Sequence, residues 1–403
     1  MLFLSSSIHP FIEELARHLI KHHVKTILIS TKIINIRTLK STSSIKWSVM
    51  LLIKVAAYNP RLLFRLLTST LKYFPSSPKR LLTMIYYWGI AGFIYRLYAR
   101  HRFDIVHAFW TYPAGIASVI AGSAVRRPVV VSILGYDVVG ERTLRYGFFR
   151  EVSRLAVEHA DAAIISEEYY YAALRRVLGV ERARVRVIPV GVDTSRFSPE
   201  VSGRHVREKL GISDSEVVVS FAPHLRDPYG PEDFLRVALI VSRHAPHTVF
   251  VFMGEGPLSE KLKKLSHAHN LKAIFTGNIP HREMPYYYAA TDVFCSTSYA
   301  GQGVSVLEAM ASGKPVVGYR IGVVRIRDGI DGFLVEGGNV EEFAEKVLLL
   351  VRDLELRRAM GANARVKVLS QYSIAASVRA VLRLYYSLLR RSLQLSADEG
   401  ILF

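Results

Sequence analysis

The segment SYAGQGVSVLEAMASGKPVV, Ser298 to Val317, holds the densest set of residues with chemical consequence. Gly301 and Gly303 let the backbone approach a ligand closely, a helix is expected to open near Val304, and Gly313 suits its C-terminal cap. A helix N-terminus after a Gly-rich turn attracts anions, because its N–H groups and its dipole both point outward. Glu308 shares a helical stripe with Val304, Leu307 and Ala311 and is the only charged residue from Gly301 through Gly313. A lone carboxylate on such a helix needs donors, and vicinal ribose hydroxyls would supply two. The plainer alternative is a solvent-facing glutamate with good helix propensity.

Alternating elements are needed to carry this segment. Met1 to Leu4 reads as a strand, Pro10 to Lys21 as an amphipathic helix and Val24 to Ser30 as a second strand. Strand, helix and strand in about thirty residues make a βαβ unit, hence a parallel sheet with a right-handed crossover. The alternation continues through strands at 105–108, 129–133, 162–166 and 185–189, with a helix at 115–124. It resumes after a Gly- and Pro-rich stretch between Pro189 and Ser215, with strands at 217–221, 248–253, 273–276, 293–296, 315–318 and 332–335. The expected fold is α/β, with two Rossmann-like doubly wound domains facing a cleft. Residues 1–195 form the first, 196–371 the second, and 372–403 a helix that leaves the second domain.

Charge is distributed unevenly. The net charge is +19, and from Leu15 to Phe103 there are 16 Lys and Arg with no Asp or Glu. Such a field draws phosphates, and Lys46-Trp47, Tyr58, Tyr86-Tyr87-Trp88 and Tyr95 to Tyr98 interleave it with aromatics. An anionic membrane surface fits better than nucleic acid, for which no binding signature is present; a solvated basic face is the bland alternative. The most apolar run, Leu81 to Tyr95, is 15 residues, short of the roughly 20 a bilayer needs. Met1 to Ser7 lacks the features of a signal peptide. Cys295 is the only cysteine and sits in an apolar run, which excludes an intrachain disulfide and fits a reducing, cytoplasmic setting. Asn and Gln number six and three, as selection against thermolabile amides would produce. His107 and His281 each fit either a site wall or a satisfied core position, and Trp110 and Tyr112 either a sugar platform or core packing.

Several further pieces stand in order: GEGP at Gly254 to Pro257, GNIPHREMPYYYAATDVF from Gly277, RDGIDGFLV from Arg327 and IPVGVDTSRFSP from Ile188. With DIVHAFWTYPAG from Asp104 and GYDV from Gly135, the chain resembles the retaining GT-B glycosyltransferases of the group 1, family 4-like type. The resemblance covers nearly the whole length. It implies a GT-B fold and a sugar nucleotide held in the second half. Glu308 would bind the nucleotide ribose, N–H groups of Gly303, Val304 and Ser305 would meet the diphosphate, and Gly254, Glu255, Asn278 and Ile279 would border the base. On the acceptor side it implies His107, Trp110, Gly135, Tyr136 and Asp137. The C-terminal helix would return to brace the first domain. No Asp-x-Asp motif appears, in line with GT-B enzymes that use no metal, and no cofactor is expected.

The sequence also departs from the family. The partner carboxylate of Glu308 would fall on Ala300. The two diphosphate-gripping cations fall on His224 and Tyr229, leaving Arg226 as the nearest substitute, so Arg226 and Glu308 are the catalytic candidates. The acceptor-side histidine falls on Leu134, one glycine of a pair remains at Gly322, and Ser5 to His9 lacks the usual glycines. The expected function is transfer of a hexosyl-type sugar, with retention, from a nucleotide-sugar to a lipid-linked or other membrane-adjacent glycan acceptor. The enzyme would sit peripherally on the cytoplasmic face of the cell membrane. The alternative is a catalytically weakened GT-B protein acting as a binding or partner subunit.

Overall fold

The computed structural model describes residues 1–5, 10–30, 42–73, 79–135, 147–222 and 224–398. Its contacts divide the chain into two units, Met1–Pro189 with Ser377–Phe403, and Val190–Ala376. Each contains a six-stranded sheet in which every strand pair is parallel.

In the first unit β1 (Leu2–Ser5), α1 (Pro10–Lys21) and β2 (Ile27–Ser30) form the opening βαβ, with Leu2 opposite Ile27. On α1, Ile12, Leu15 and Leu19 are buried as their spacing predicts, while Ile20 of the same apolar set is exposed. Three helices, α2 (Thr42–Tyr58), α3 (Pro60–Tyr73) and α4 (Lys79–His101), precede β3 (Val106–Phe109). Then come α5 (Ile116–Val125), β4 (Val129–Ile133), α6 (Gly147–Glu158), β5 (Ala162–Ile165), α7 (Tyr169–Leu178) and β6 (Val185–Val187). The strand order is β2-β1-β3-β4-β5-β6, so the direction of winding reverses between β1 and β3. β3, β4 and β5 are buried along their whole length, as a parallel sheet covered on both faces requires.

The basic region is a helical layer with two faces. Leu51, Val55, Leu62, Leu66, Tyr87, Ile90, Ala91 and Ile94 enter the core of this unit. Each aliphatic side chain so buried contributes about 1.5–3 kcal/mol. That packing accounts for the apolar run 81–95. None of the described helices is long and apolar enough to cross a membrane. Outward stand Met50, Leu52, Ile53, Phe64 and Leu67, with Ile53 63% and Phe64 68% exposed. Leu51 belongs to the core rather than to this outer face, and Trp88 is half-buried. The layer is tied down by Arg65, which pairs with Glu158 and, at 3.5 Å, with Glu151.

The second unit begins with α8 (Arg204–Lys209), a short helix inside the stretch read as a linker. Next come β7 (Val217–Phe221), α9 (Pro231–His244), β8 (Thr248–Phe252), α10 (Ser259–Ala268), β9 (Ala273–Phe275) and α11 (Met284–Ala290). β10 (Val293–Ser296), α12 (Val304–Ala311), β11 (Val316–Tyr319), β12 (Gly332–Val335), α13 (Val340–Arg352) and α14 (Leu354–Gln371) complete it. The order β12-β11-β10-β7-β8-β9 reverses between β7 and β10. A crevice for ligands is expected beyond the carboxyl ends of those two strands. The loops there are 222–230 and 297–303. The last helix, α15 (Ile374–Asp398), belongs to the first unit from Ser377 onward, where Ser377 donates to the Pro189 carbonyl at 2.7 Å.

Candidate functional site

The Gly-rich loop is built from its own backbone requirements. Gly301 has φ +88°, and a Cβ there would come within 2.8 Å of the Val323 nitrogen. Gln302 is buried, and its Oε1 accepts from the backbone N–H groups of Arg325 and Ile326 at 2.5 and 3.2 Å. Its own N–H donates to the Val323 carbonyl at 2.8 Å, and its carbonyl accepts from Arg325 Nε at 2.8 Å. The loop is therefore held from beneath by residues 323–326. Gly303 then caps α12 in an extended conformation. Gly303 is exposed and Val304 and Ser305 are half-buried, and the first N–H groups of a helix have no acceptor within it.

Glu308 lies one turn further along α12 and is buried. Its Oε1 accepts from His281 Nε2 at 2.8 Å and its Oε2 from the Tyr288 hydroxyl at 3.0 Å. Tyr288 is fully enclosed, and burial together with the adjacent carboxylate drives its pKa well up. The sequence leaves Glu308 in search of donors, and the protein itself supplies two. An ionised carboxylate has about four lone-pair sites, so capacity for hydroxyl donors remains. The Tyr288 side is sealed, whereas the His281 side chain that bonds Oε1 is 30% exposed. Phe197 packs against both rings, with centroids 5.6 Å from His281 and 5.8 Å from Tyr288. His281, ambiguous in the sequence, is thus a member of this site. Tyr288 was not anticipated; the only signal was the run HREMPYYY preceding a buried strand.

Arg226 sits on the loop after β7, exposed, with its guanidinium 5.9 Å from the Tyr229 ring centre. Leu225 beside it is buried and ties this loop to the segment after β8. Its N–H donates to the Glu255 carbonyl at 3.1 Å and its carbonyl accepts from the Leu258 N–H at 3.0 Å. The Gly254 N–H in turn donates to the Gly277 carbonyl at 3.1 Å, next to Asn278 and Ile279. Gly230, at φ +68°, passes so near Thr297 that a Cβ would lie 2.0 Å from its carbonyl oxygen. Arg226, Gly254, Glu255, Asn278 and Ile279 are therefore on loops joined by direct bonds, and the Arg226 loop passes against the start of the loop leading to Gly303, Val304 and Ser305.

The residues assigned to the acceptor side divide. Tyr136 and Asp137 lie outside the described residues. Trp110 follows β3 at the reversal point of the first sheet, half-buried, with φ +69° and its N–H bonded to the Ser132 carbonyl at 2.8 Å. Gly135 is buried beneath the Tyr170 ring. His107 belongs to the core. It has no exposed surface, Nε2 bonds Ser132 Oγ at 2.7 Å, and Nδ1 bonds the Tyr385 hydroxyl at 2.5 Å. Burial pushes its pKa down to about 3, so it is neutral at pH 7. A fully buried parallel strand leaves such a side chain no route to a ligand, which corrects its assignment as an acceptor-side residue. Tyr112 also packs inward, edge-on to Tyr87 and Phe149.

Residues 204–367 match the family described as Glycosyl transferases group 1, and residues 60–191 match the Glycosyl transferase 4-like domain. The chain is 30% identical over 289 residues to GDP-mannose-dependent alpha-(1-6)-phosphatidylinositol monomannoside mannosyltransferase from Mycolicibacterium smegmatis, covering 68% of this chain and 74% of that one. It is 26% identical over 302 residues to an Escherichia coli UDP-Gal:alpha-D-GlcNAc-diphosphoundecaprenol alpha-1,3-galactosyltransferase, covering 72% and 77%. Among solved structures, HepE of Anabaena in complex with UDP and glucose superposes with a TM-score of 0.70 over 96% of this chain and 99% of that one, at 18% identity. Sequence and fold agree, and the chain belongs to the group 1 glycosyltransferases with a GT-B fold.

Proposed function

We propose that the protein transfers a hexosyl-type sugar, with retention of anomeric configuration, from a nucleotide-sugar to a lipid-linked or other membrane-adjacent acceptor. The observation that carries this reading is Glu308, buried beside an open Gly-rich helix N-terminus at the reversal point of a parallel sheet. The ribose hydroxyls would bond Glu308, and the diphosphate would meet the N–H groups of Gly303, Val304 and Ser305 together with Arg226. As the bond from the anomeric carbon to the diphosphate oxygen breaks, those donors take up the charge developing on the leaving group. An acceptor hydroxyl attacks from the departing side, and a diphosphate oxygen receives its proton. Fixed donors of this kind lower a barrier by about 3–4 kcal/mol each, which makes a metal unnecessary to the scheme.

Two observations support the acceptor class. The relatives named above act on a phosphatidylinositol monomannoside and on a diphosphoundecaprenol-linked sugar. The α2–α3 pair also exposes Ile53, Phe64 and Leu67 in a stretch with no acidic residue, which suits the cytoplasmic face of an anionic membrane. The test is a melting panel of UDP-, GDP- and ADP-sugars, followed by transfer to a lipid extract with the stereochemistry read by NMR. A donor at 100 times its dissociation constant stabilises by about 2.7 kcal/mol. One donor is expected to stabilise the protein and to yield a product of retained configuration. Stabilisation without turnover would favour a binding subunit, and no stabilisation by any donor would remove the reading.

A further inference from the structure

Asp233 stands in the first turn of α9, 8% exposed, with no part in the scheme above. Its Oδ2 accepts from two phenols, Tyr299 at 2.6 Å and Tyr319 at 3.0 Å. Tyr319 ends β11, is 1% exposed, and packs edge-on against Phe343, so its hydroxyl is a fixed point of the core. Tyr299 opens the Gly-rich loop, and its backbone N–H donates to the Pro228 carbonyl at 2.8 Å. Beside it, Thr297 Oγ1 donates to the Gly230 carbonyl at 2.7 Å. Every bond in this set joins the segment 297–299 or the core beneath it to the segment 228–233, which begins two residues after Arg226.

We infer that Asp233 and Tyr299 are positioning residues: they clamp the Arg226 loop to the Gly-rich loop and so set where the guanidinium stands relative to the N-terminus of α12. This rests on the reading of that loop pair as a nucleoside-diphosphate site. A buried carboxylate is costly to desolvate, and apolar residues of the same volume usually stabilise a core as well or better. What an apolar substitute lacks is direction. Two phenol donors meeting on one oxygen, one from the core and one from the Gly-rich loop, fix a single register between two loops. The alternative is an ordinary acidic residue favoured by the α9 dipole. That role needs neither phenol.

The experiment uses the full chain and measures affinities by calorimetry for UDP, GDP and ADP and for the matching nucleosides. Tyr299→Phe keeps the ring, which lies tilted against Tyr319 with centroids 5.4 Å apart, and removes only the hydroxyl. It is expected to weaken the diphosphate about tenfold, a modest share of the roughly hundredfold that a 1 Å misplacement can produce, and to leave the nucleoside unchanged. In an Arg226→Ala background it is expected to cause no further loss, because the clamp acts through Arg226. Asp233→Asn is expected to behave likewise, and Tyr299→Phe carries the test if that variant fails to fold. Unchanged diphosphate affinity in folded Tyr299→Phe, or losses that add to those of Arg226→Ala, overturn the inference. Wild-type protein that binds none of the three diphosphates overturns the site reading and the clamp together.

Discussion

Replacing Glu308 by alanine removes the acceptor of two donors that differ in their access to water. Tyr288 is sealed in the core, 3.0 Å from Oε2, so its hydroxyl would lose its partner outright. An unsatisfied buried donor costs about 1–3 kcal/mol, and more where the lost acceptor was charged. His281 retains partial exposure, so its Nε2 can turn to solvent at little expense. Glu308→Ala is therefore expected to destabilise the second unit by about 2–3 kcal/mol. A body of 150–250 residues loses roughly 2–4 °C in Tm per kcal/mol, which gives a fall of about 4–12 °C. Glu308→Gln keeps an acceptor for Tyr288 and is expected to melt within ~3 °C of wild type, yet it lacks the charge that makes hydroxyl bonds to a carboxylate about twice as strong. Donor affinity is thus expected to fall in both variants while stability falls in one. Adding Tyr288→Phe to Glu308→Ala removes the orphaned hydroxyl and is expected to recover part of the loss. Melts followed by circular dichroism and donor titrations by calorimetry measure all four proteins. A wild-type melting temperature in Glu308→Ala would refute the buried bond, and wild-type donor affinity in folded Glu308→Gln would refute the carboxylate as a ligand group.

Arg226→Ala is expected to weaken a nucleoside diphosphate by about 1.5–3 kcal/mol while sparing the nucleoside, since only the former carries charges to meet; equal losses in calorimetry would show that Arg226 contacts no phosphate. The α2–α3 face is expected to bind anionic liposomes at low salt and release them as salt rises, exposed charge being screened beyond about 8 Å at physiological ionic strength. Phe64→Glu should reduce that binding in flotation, and protein that ignores anionic liposomes at low salt would leave this face without its proposed partner. His107 is neutral when folded, its pKa held at about 3, but titrates near 6.5 when unfolded. Its contribution is therefore complete above pH 6.5 and is lost between 6.5 and 3, by about 1.4 kcal/mol per pH unit. Melts of wild type and His107→Gln from pH 7 to pH 4 should diverge in slope, and parallel curves would contradict the buried neutral ring.

Spacing within one element proved legible. The strands at 129–133, 217–221, 293–296 and 332–335 and the helix at Pro10–Lys21 stand where their patterns put them. The Gly-rich turn leads into a helix at Val304 for the reason that glycine pattern implies. Pairings between elements were not legible. Nothing in a one-dimensional pattern couples Glu308 to a tyrosine and a histidine 20 and 27 residues earlier. His107 was opaque for a related cause. A histidine within an apolar strand looks functional until the sheet is known to be covered on both sides, and only the return of α15 brings Tyr385 to its Nδ1.

The basic region shows the same limit from the other direction. Its composition signals a charged, aromatic-rich surface, but composition has no orientation. Leu51 and Ile53 are two positions apart on one helix and lie on opposite sides of it, one in the core and the other 63% exposed. Helical geometry places such neighbours about 200° apart, so at most one can face outward. The apolar content of residues 42–101 therefore has to serve two purposes at once. Much of what is described there builds the core that α4 completes, while Ile53, Phe64 and Leu67 stay outside on α2 and α3, in a stretch of sequence that itself holds no acidic residue. Charge alone would be satisfied by water; exposed Ile53, Phe64 and Leu67 would not. It is the conjunction of the two on one short helical pair, rather than the net charge, that argues for a membrane as the partner of this face.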